Sequence, residues 1–265
     1  MRTFTFLILS VILFSHHSTQ ARKKPKTIKV LSYNIHYGLG MDSKTDLERI
    51  AGVIRRLDPD IVGLQEIGDS TMAAKLGALT HMKAVFGPSK ESNSGYGDAV
   101  LSKLPFRYVG NESIPSASSS RYQAMCVDVD LSQIYGRGAT VRFVNTHFDW
   151  LPSIGSEVAR KGAVEVIEIA FFKDDAKRPA ILTGDLNATP DSAPVKLLRK
   201  KGWVYENLNR EIPTIPSDKP TEQIDYVMPR PAKRWRVVAV EVIPERVASD
   251  HLPVLMTLEL IHNKR

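Results

Sequence analysis

The chain has 265 residues, 43% hydrophobic and 25% charged, a balance that suits one sizeable domain with a full core, or at most two small ones. Its formal net charge of +7 favours anionic partners such as nucleic acid, phospholipid headgroups or phosphorylated metabolites, without naming one. A single cysteine, Cys126, excludes an internal disulfide; the core alone must hold the fold, and Cys126 reads as an inert strand residue.

At the amino terminus Arg2 precedes an apolar stretch from Phe4 to Phe14, and a polar segment ends at Thr19-Gln20-Ala21. That order reads as a secretory signal over residues 1–21, and the apolar run falls short of the roughly 20 residues a membrane span needs. Export to the periplasm or beyond is therefore expected, with no integral span left after cleavage. A basic tail, residues 22–27, leads into a single catalytic domain over 28–262, expected to be a monomer.

"TIKVLSYNI" has the β-branched and aromatic content of a strand. In "TDLERIAGVIRRL", Leu47, Ile50, Ala51, Ile54 and Leu57 fall on one helical stripe, with Asp42, Ser43 and Thr45 as polar cap candidates. Asp58-Pro59 ends that helix before the short buried strand "DIVGLQE". "DSTMAAKLGAL" predicts a second helix, "MKAVFG" a strand, and "GPSKESNSGYG" a polar loop. Strands follow at "DAVLSKL", "RYVGNESI" and "RYQAMCVDVDL", and "SQIYGRG" reads as a hairpin connection into "ATVRFVNTHF". "SEVARKGAVEVIEIAFF" predicts an amphipathic helix with Ala159, Ala163, Val166, Ile167 and Ala170 on one side. "KLLRKKG" reads as a solvated helix end, and "RPAILTGDLN", "EQIDYVM", "RWRVVAVEVI" and "HLPVLMTLEL" supply the remaining strands. Many strands with a few interspersed helices suggest α and β layers around a shared core.

Polar residues stand at seven strand ends or adjoining turns: Asn34, Glu66, Arg121, His147, the Asp185/Asn187 pair, Asp225 and the Asp250-His251 pair. Asp185 and Asn187, two apart, point the same way on an extended backbone, so one face holds both a carboxylate and a hydrogen-bond donor. Each residue alone has a structural explanation, a turn cap or a satisfied interior histidine. Together they are harder to dismiss, because burying an unpaired polar group costs about 1–3 kcal/mol. No HExxH, cysteine cluster or close histidine pair points to a conventional zinc site, and no GxSxG elbow points to a serine hydrolase.

The stretches "LSYNIHYG", "IVGLQE", "NTHFDW", "TGDLNATP", "QIDYVM" and "ASDHLPV" resemble, in order, the motifs of the endonuclease/exonuclease/phosphatase (DNase I-like) family. The resemblance spans nearly all of the chain after the basic tail. It implies a four-layer α/β/β/α sandwich, two mixed sheets flanked by helices, with a cleft at one end where a divalent metal assists phosphoester cleavage. By the same resemblance Asn34, Glu66 and Asp250 would hold Mg²⁺ or Mn²⁺, one ion or two, through hard oxygen ligands. Asp185 would orient or deprotonate the attacking water, and Asn187 would donate to the phosphate or to that water. His251 would bind the scissile phosphate with Asp225 holding its tautomer, although some members use that histidine as the base. His147 would be a phosphate ligand or general acid. Arg121 is a looser match, either a bidentate phosphate contact or a structural ion pair.

The chain lacks the tryptophan before Gly-Asp of inositol-polyphosphate phosphatases and the Thr-Lys after Gln-Glu of abasic-site endonucleases. Its early block is most similar to a bacterial metal-dependent hydrolase branch, itself similar to the C-terminal domain of proteins linked to GPI-anchor lipid remodelling. An anionic phosphoester is the expected partner, a lipid headgroup before a nucleic acid. Trp150, in the loop "FDWLPSIGSEV" beside the cleft, is a candidate contact to lipid or base; more aromatic residues than the sequence locates there would be needed for base stacking.

Overall fold

A computed structural model describes residues 26–89, 96–118, 122–204 and 212–261. The expected signal segment 1–21 and Arg121 lie outside the described residues. Two sheets account for the strands. The first contains β1 (Ile28–Asn34), β2 (Ile61–Ile67), β3 (Lys83–Pro88), β4 (Gly97–Ser102), β10 (Trp235–Val242) and β11 (Val254–Leu260), in the order β10-β11-β1-β2-β4-β3. The second runs β5 (Phe106–Ile114), β6 (Tyr122–Asp130), β7 (Thr140–His147), β8 (Ala180–Asp185) and β9 (Asp225–Arg230), in sequence order. Each sheet is antiparallel except for one parallel pair, β1 with β2 and β7 with β8. Those two pairs end together: Asn34 is opposite Gln65, and His147 is opposite Asp185.

Strands buried on both faces read as continuous apolar runs, which is why they were legible in the sequence. Between the sheets Val30, Ile61 and Met256 of the first pack against Val127, Phe143 and Ile181 of the second. The outer face of the first sheet is covered by α1 (Leu47–Leu57) and α2 (Ser70–Thr80), that of the second by α4 (Ile154–Phe172) and α5 (Ala193–Lys200). The result is the expected four-layer α/β/β/α sandwich.

Local details depart from the sequence reading. The cap of α1 is Asp46, which accepts from Arg49 N at 3.0 Å; Asp42 instead pairs with the Arg49 guanidinium. The hairpin connection at 132–138 holds a short helix, α3 (Ser132–Tyr135), started by Asp130 accepting from Ser132 N. In α4 the buried face includes Val164, Phe171 and Phe172, so Ala170 is exposed and Val166 only half-buried. Large side chains at the end of the helix win the core-facing positions over alanine, because they bury more apolar area. Cys126 is buried, and burial pushes its thiol up to about 12, which keeps it inert.

A buried amide bridges the two sheets behind the site. Asn145 on β7 donates to Leu64 O (2.9 Å) and Ala99 O (3.1 Å) of the first sheet, and accepts from Gln65 Nε2 (2.6 Å) and Thr183 Oγ1 (2.9 Å). The gap it occupies exists because position 63 is glycine: a Cβ there would lie 2.1 Å from Thr183 Oγ1 and 2.4 Å from Asn145 Oδ1. Gly63→Ala is therefore expected to destabilise the protein by about 1–3 kcal/mol, the usual scale of core overpacking. Urea denaturation checks this, and an unchanged midpoint would mean that the strut is dispensable.

Candidate active site

Strand ends from both sheets converge on Asp185. Its Oδ2 accepts from Asn34 Nδ2 at 3.0 Å and lies 3.5 Å from His147 Nε2 and 3.6 Å from His251 Nε2. Its Oδ1 accepts from Asn187 N at 2.9 Å. Asn34 also donates to Glu66 Oε1 at 3.0 Å, and His251 Nδ1 meets Asp225 Oδ2 at 2.9 Å. Glu66, Asn34, Asp185, His251 and Asp225 thus form one continuous chain of contacts, although they lie as far apart in sequence as residues 34 and 251.

The loop carrying Asp250 and His251 is tied down by residues the sequence reading did not single out. Ser249 Oγ donates to Asn34 O (2.8 Å) and accepts from His251 N (3.2 Å). Ser217 holds the same loop through Ser249 O and Asp250 O. Asp250 sits at the rim, its Oδ1 3.6 Å from His36 Nδ1.

Backbone conformation marks the site as well. Glu66 (φ 58°), Asn187 (φ 44°), His36 (φ 45°) and Tyr37 (φ 56°) are non-glycine residues in the left-handed region. Such conformations cost of order 1 kcal/mol or more and cluster where geometry serves function. At Glu66 the cost accompanies a register shift between β2 and β4 that turns the carboxylate toward Asn34.

His147 is held at both nitrogens, by Tyr96 Oη at Nδ1 (2.8 Å) and Asn187 Nδ2 at Nε2 (3.1 Å). The Asn187 nitrogen also donates to Phe148 O at 3.0 Å, which identifies it as the donor and makes His147 Nε2 an acceptor. With Nε2 accepting, His147 orients Asn187.

Electrostatics separate the roles further. Burial opposes the charged form of His251, but Asp225 and Asp185 outweigh it and hold the imidazole up to about 10. It is an imidazolium at neutral pH, suited to donating to a phosphate oxygen and unsuited to accepting a proton. Burial pushes Asp185 above the usual carboxylate range, against the pull of His251 and His147. Asp98 on β4, another residue missed in the sequence, is fully buried, and burial raises its carboxyl well above the ordinary range, with Glu66 and Asp185 adding to the effect.

The donor set fits a hard divalent cation. Asp185 and Asp225 flank the His251 ring, Glu66 is joined to Asp185 through Asn34, and Asp225 Oδ1 is buried without a hydrogen-bond partner. Among the described residues, ligand atoms of Asp185, Asp225 and His251 lie within 4.8 Å of one another. That trio is closed by the His251–Asp225 hydrogen bond. Asn34 stands between two of these acids. Its nitrogen faces Glu66 and Asp185 while its Oδ1 accepts from His36 N at 3.0 Å, making it a strut between two carboxylates.

Trp150 lies at the rim, 57% exposed, three residues beyond His147. The wall near His147 is more aromatic than the sequence indicated: Tyr122 meets the His147 ring edge-on at 5.1 Å, and Tyr37 lies 5.7 Å from Tyr96. Tyr96 directly precedes β4, and only the sheet pairing brings it to this site.

Two variants test the assignments. In Asp225→Asn the alkaline limb of kcat/KM, expected near pH 10 in the parent, should move toward the ordinary imidazole value of about 6.5. A raised pKa helps below the ordinary value and is lost as pH rises through the folded one, so the variant should suffer most above neutrality. Unshifted pH profiles would refute an imidazolium role. Tyr96→Phe removes one hydrogen bond of about 1 kcal/mol and should lower kcat roughly five- to tenfold with KM little changed.

Residues 31–251 match the Endonuclease/Exonuclease/phosphatase family. No curated protein matches the chain. Solved structures share the architecture: a family protein from Bacteroides vulgatus (21% identity, TM-score 0.72, 89% of this chain and 99% of that one); a mannosyl-6-phosphatase from Bacteroides thetaiotaomicron (20%, 0.67, 89% and 100%); and the human Nocturnin catalytic domain with bound sulfate (21%, 0.67, 89% and 96%). At these identities the likeness is one of fold, and it agrees with the two-sheet sandwich described above. With 221 consecutive positions matched and the motif side chains assembled at one cleft, the chain belongs to the endonuclease/exonuclease/phosphatase family and is a phosphoester hydrolase.

Proposed function

We propose that the protein is an exported, divalent-metal-dependent phosphodiesterase acting on lipid headgroups or other small phosphodiesters. The observation that carries the reading is the position of Asp185 Oδ2, with Asn34, His147 and His251 at 3.0, 3.5 and 3.6 Å. A carboxylate whose proton affinity burial has raised is a better base than an exposed one. Asp185 takes a proton from the attacking water while Asn34 fixes its orientation. His251 Nε2 donates to a phosphate oxygen, and Asp225 keeps its charge in place. Asn187 reaches the same phosphate once substrate displaces it from His147. A Mg²⁺ or Mn²⁺ ion, held by Glu66 and Asp250, would neutralise charge on the phosphate as the oxyanions develop.

Two observations support other readings. The Tyr37–Tyr96 pair, with Tyr37 41% exposed, suits base stacking and an extracellular nuclease. Likeness to a mannosyl-6-phosphatase keeps a sugar or nucleotide phosphatase in view. A non-catalytic binding protein is disfavoured by the presence of every acid and imidazole the chemistry uses. Export rests on the amino-terminal sequence pattern, and no helix among the described residues is long and apolar enough to cross a membrane.

The test uses purified protein with Mg²⁺ or Mn²⁺ on bis-p-nitrophenyl phosphate, plasmid DNA, RNA, phosphatidylinositol and sphingomyelin. Hydrolysis should cease in excess EDTA and return with either ion, and Asp185→Ala and His251→Ala should each lose at least ~100-fold in kcat. Full turnover in EDTA would remove the metal, and nicked plasmid without lipid turnover would replace the headgroup reading by the nuclease one.

A further inference from the structure

Successive side chains of a strand point to opposite faces, and β2 breaks that alternation as it nears the cleft. Val62 and Leu64 pack on the helix side of the first sheet, and Gln65 points between the sheets, donating to Asn145 Oδ1 at 2.6 Å. A regular strand would therefore turn Glu66 toward the helices. Instead Ile67 takes the helix side, three residues after Leu64, and the Glu66 carboxylate accepts from Asn34 in the cleft. The ladder shows the same insertion: Leu64 is opposite Ala99 and Ile67 opposite Gly97, so Gln65 and Glu66 both stand against Asp98. This is a β-bulge, and the left-handed backbone of Glu66 (φ 58°) is part of it. The aim of Glu66 is a property of the bulge.

Asp98 is an odd residue to find opposite it. Its side chain faces between the sheets, where Val100, two residues on, joins the apolar core. It is fully buried, and neither oxygen has a well-aligned hydrogen bond. Such burial costs about 1–3 kcal/mol, and Glu66 and Asp185 add repulsion. For folding alone an apolar residue would serve better. Two donors stand within its reach, the Glu66 backbone amide and the carboxamide of Gln123 on β6. On its other side Asp98 is opposite Gly87, so no side chain of β3 competes for the space. A bulge disrupts the ladder where its extra residue sits, and an oxygen at position 98 meets that need.

We infer that Asp98 is a positioning residue: its carboxyl oxygen takes the Glu66 amide, holds the bulge of β2 and so aims the Glu66 carboxylate into the cleft. The inference deepens the reading of Glu66 as a cation ligand and rests on it. Aiming requires an oxygen acceptor at position 98 and not a charge. Asparagine supplies that oxygen at the same place, whereas alanine and valine do not. A direct role for Asp98 as ligand or counter-charge would require the charge itself.

The test is Mn²⁺ binding without substrate, read from the electron-paramagnetic-resonance signal of the free ion. Glu66→Gln should weaken binding at least ~10-fold, and Asp98→Ala should weaken it by roughly tenfold, the scale of losing a group that orients a metal ligand. Asp98→Val, which keeps strand-forming bulk, should match Asp98→Ala and serves if the smaller residue fails to fold. Asp98→Asn should restore parental affinity to within about twofold of the unaltered chain, because its oxygen stands where the carboxylate's did. Glu66→Gln combined with Asp98→Ala should bind no more weakly than Glu66→Gln alone, since Asp98 acts through Glu66. Parental affinity in Asp98→Ala or Asp98→Val, with Glu66→Gln weakened, would overturn the aiming role and leave the cation reading standing. A loss in Asp98→Asn as large as in Asp98→Ala, or additive losses in the double variant, would overturn it in favour of the charge. Unchanged affinity in Glu66→Gln would refute Glu66 as a ligand, and the aiming role with it.

Discussion

Asn145 is the constraint on which the site's geometry depends. Its amide spans the gap between sheets, donating to two carbonyls of the first while accepting from Gln65 and from Thr183 of its own sheet. Apolar packing alone lets two sheets slide, because dispersion contacts carry little directional information. A buried amide with fixed partners does not allow it, since any displacement strands groups that cost about 1–3 kcal/mol each. Asn145 and His147 are two apart on β7, and Thr183 and Asp185 two apart on β8, in matching register. The strut therefore lies one side-chain step beneath the reactive groups. Fixing the first pair at Gln65 also fixes the second relative to Glu66.

Strand ends and the motif residues were legible because strand chemistry and local order in sequence express them directly. Asp185 with Asn187, and Asp225 with His251, came together as their spacing and family motif implied. The rest of the site was not legible, for identifiable reasons. Tyr96 and Asp98 are close to it only because β4 pairs beside β2, and no short-range pattern encodes that neighbour. The left-handed conformations at Glu66 and Asn187 carry no glycine to advertise them. Ser249 and Ser217 look like ordinary loop residues until their hydroxyls are seen bracing the loop of His251. On α4 the alternation of alanine and β-branched residues left the buried face ambiguous, and the phenylalanines decided it.

Charge is arranged as carefully as position. Carboxylates this close repel one another, and the site tolerates them by giving each a different fate. Asp225 is spent on His251, Asp98 is driven toward its neutral form, and Asp185 is left between two imidazoles with its proton affinity raised. Glu66 and Asp250 are less buried than these three. The imidazoles are held differently: His251 faces two carboxylates and stays charged, whereas His147 is bracketed by a phenol and an amide and orients Asn187.

The rim is mechanically continuous with this floor through Asp149, two residues beyond His147. Its buried carboxylate accepts from Ala117 N at 2.6 Å, Ser118 N at 3.2 Å, Ser156 Oγ at 3.0 Å and Leu151 N at 3.2 Å. Burial disfavours that charge, but the donors around it win and hold the carboxyl below its usual range. Arg160, donating to Asp149 O and Leu151 O, closes the loop from the helix side. The apolar tip that carries Trp150 is thus not a loose flap but the outer edge of a carboxylate-centred knot attached to β7. The knot therefore fixes the path of the chain as it leaves the strand that ends in His147.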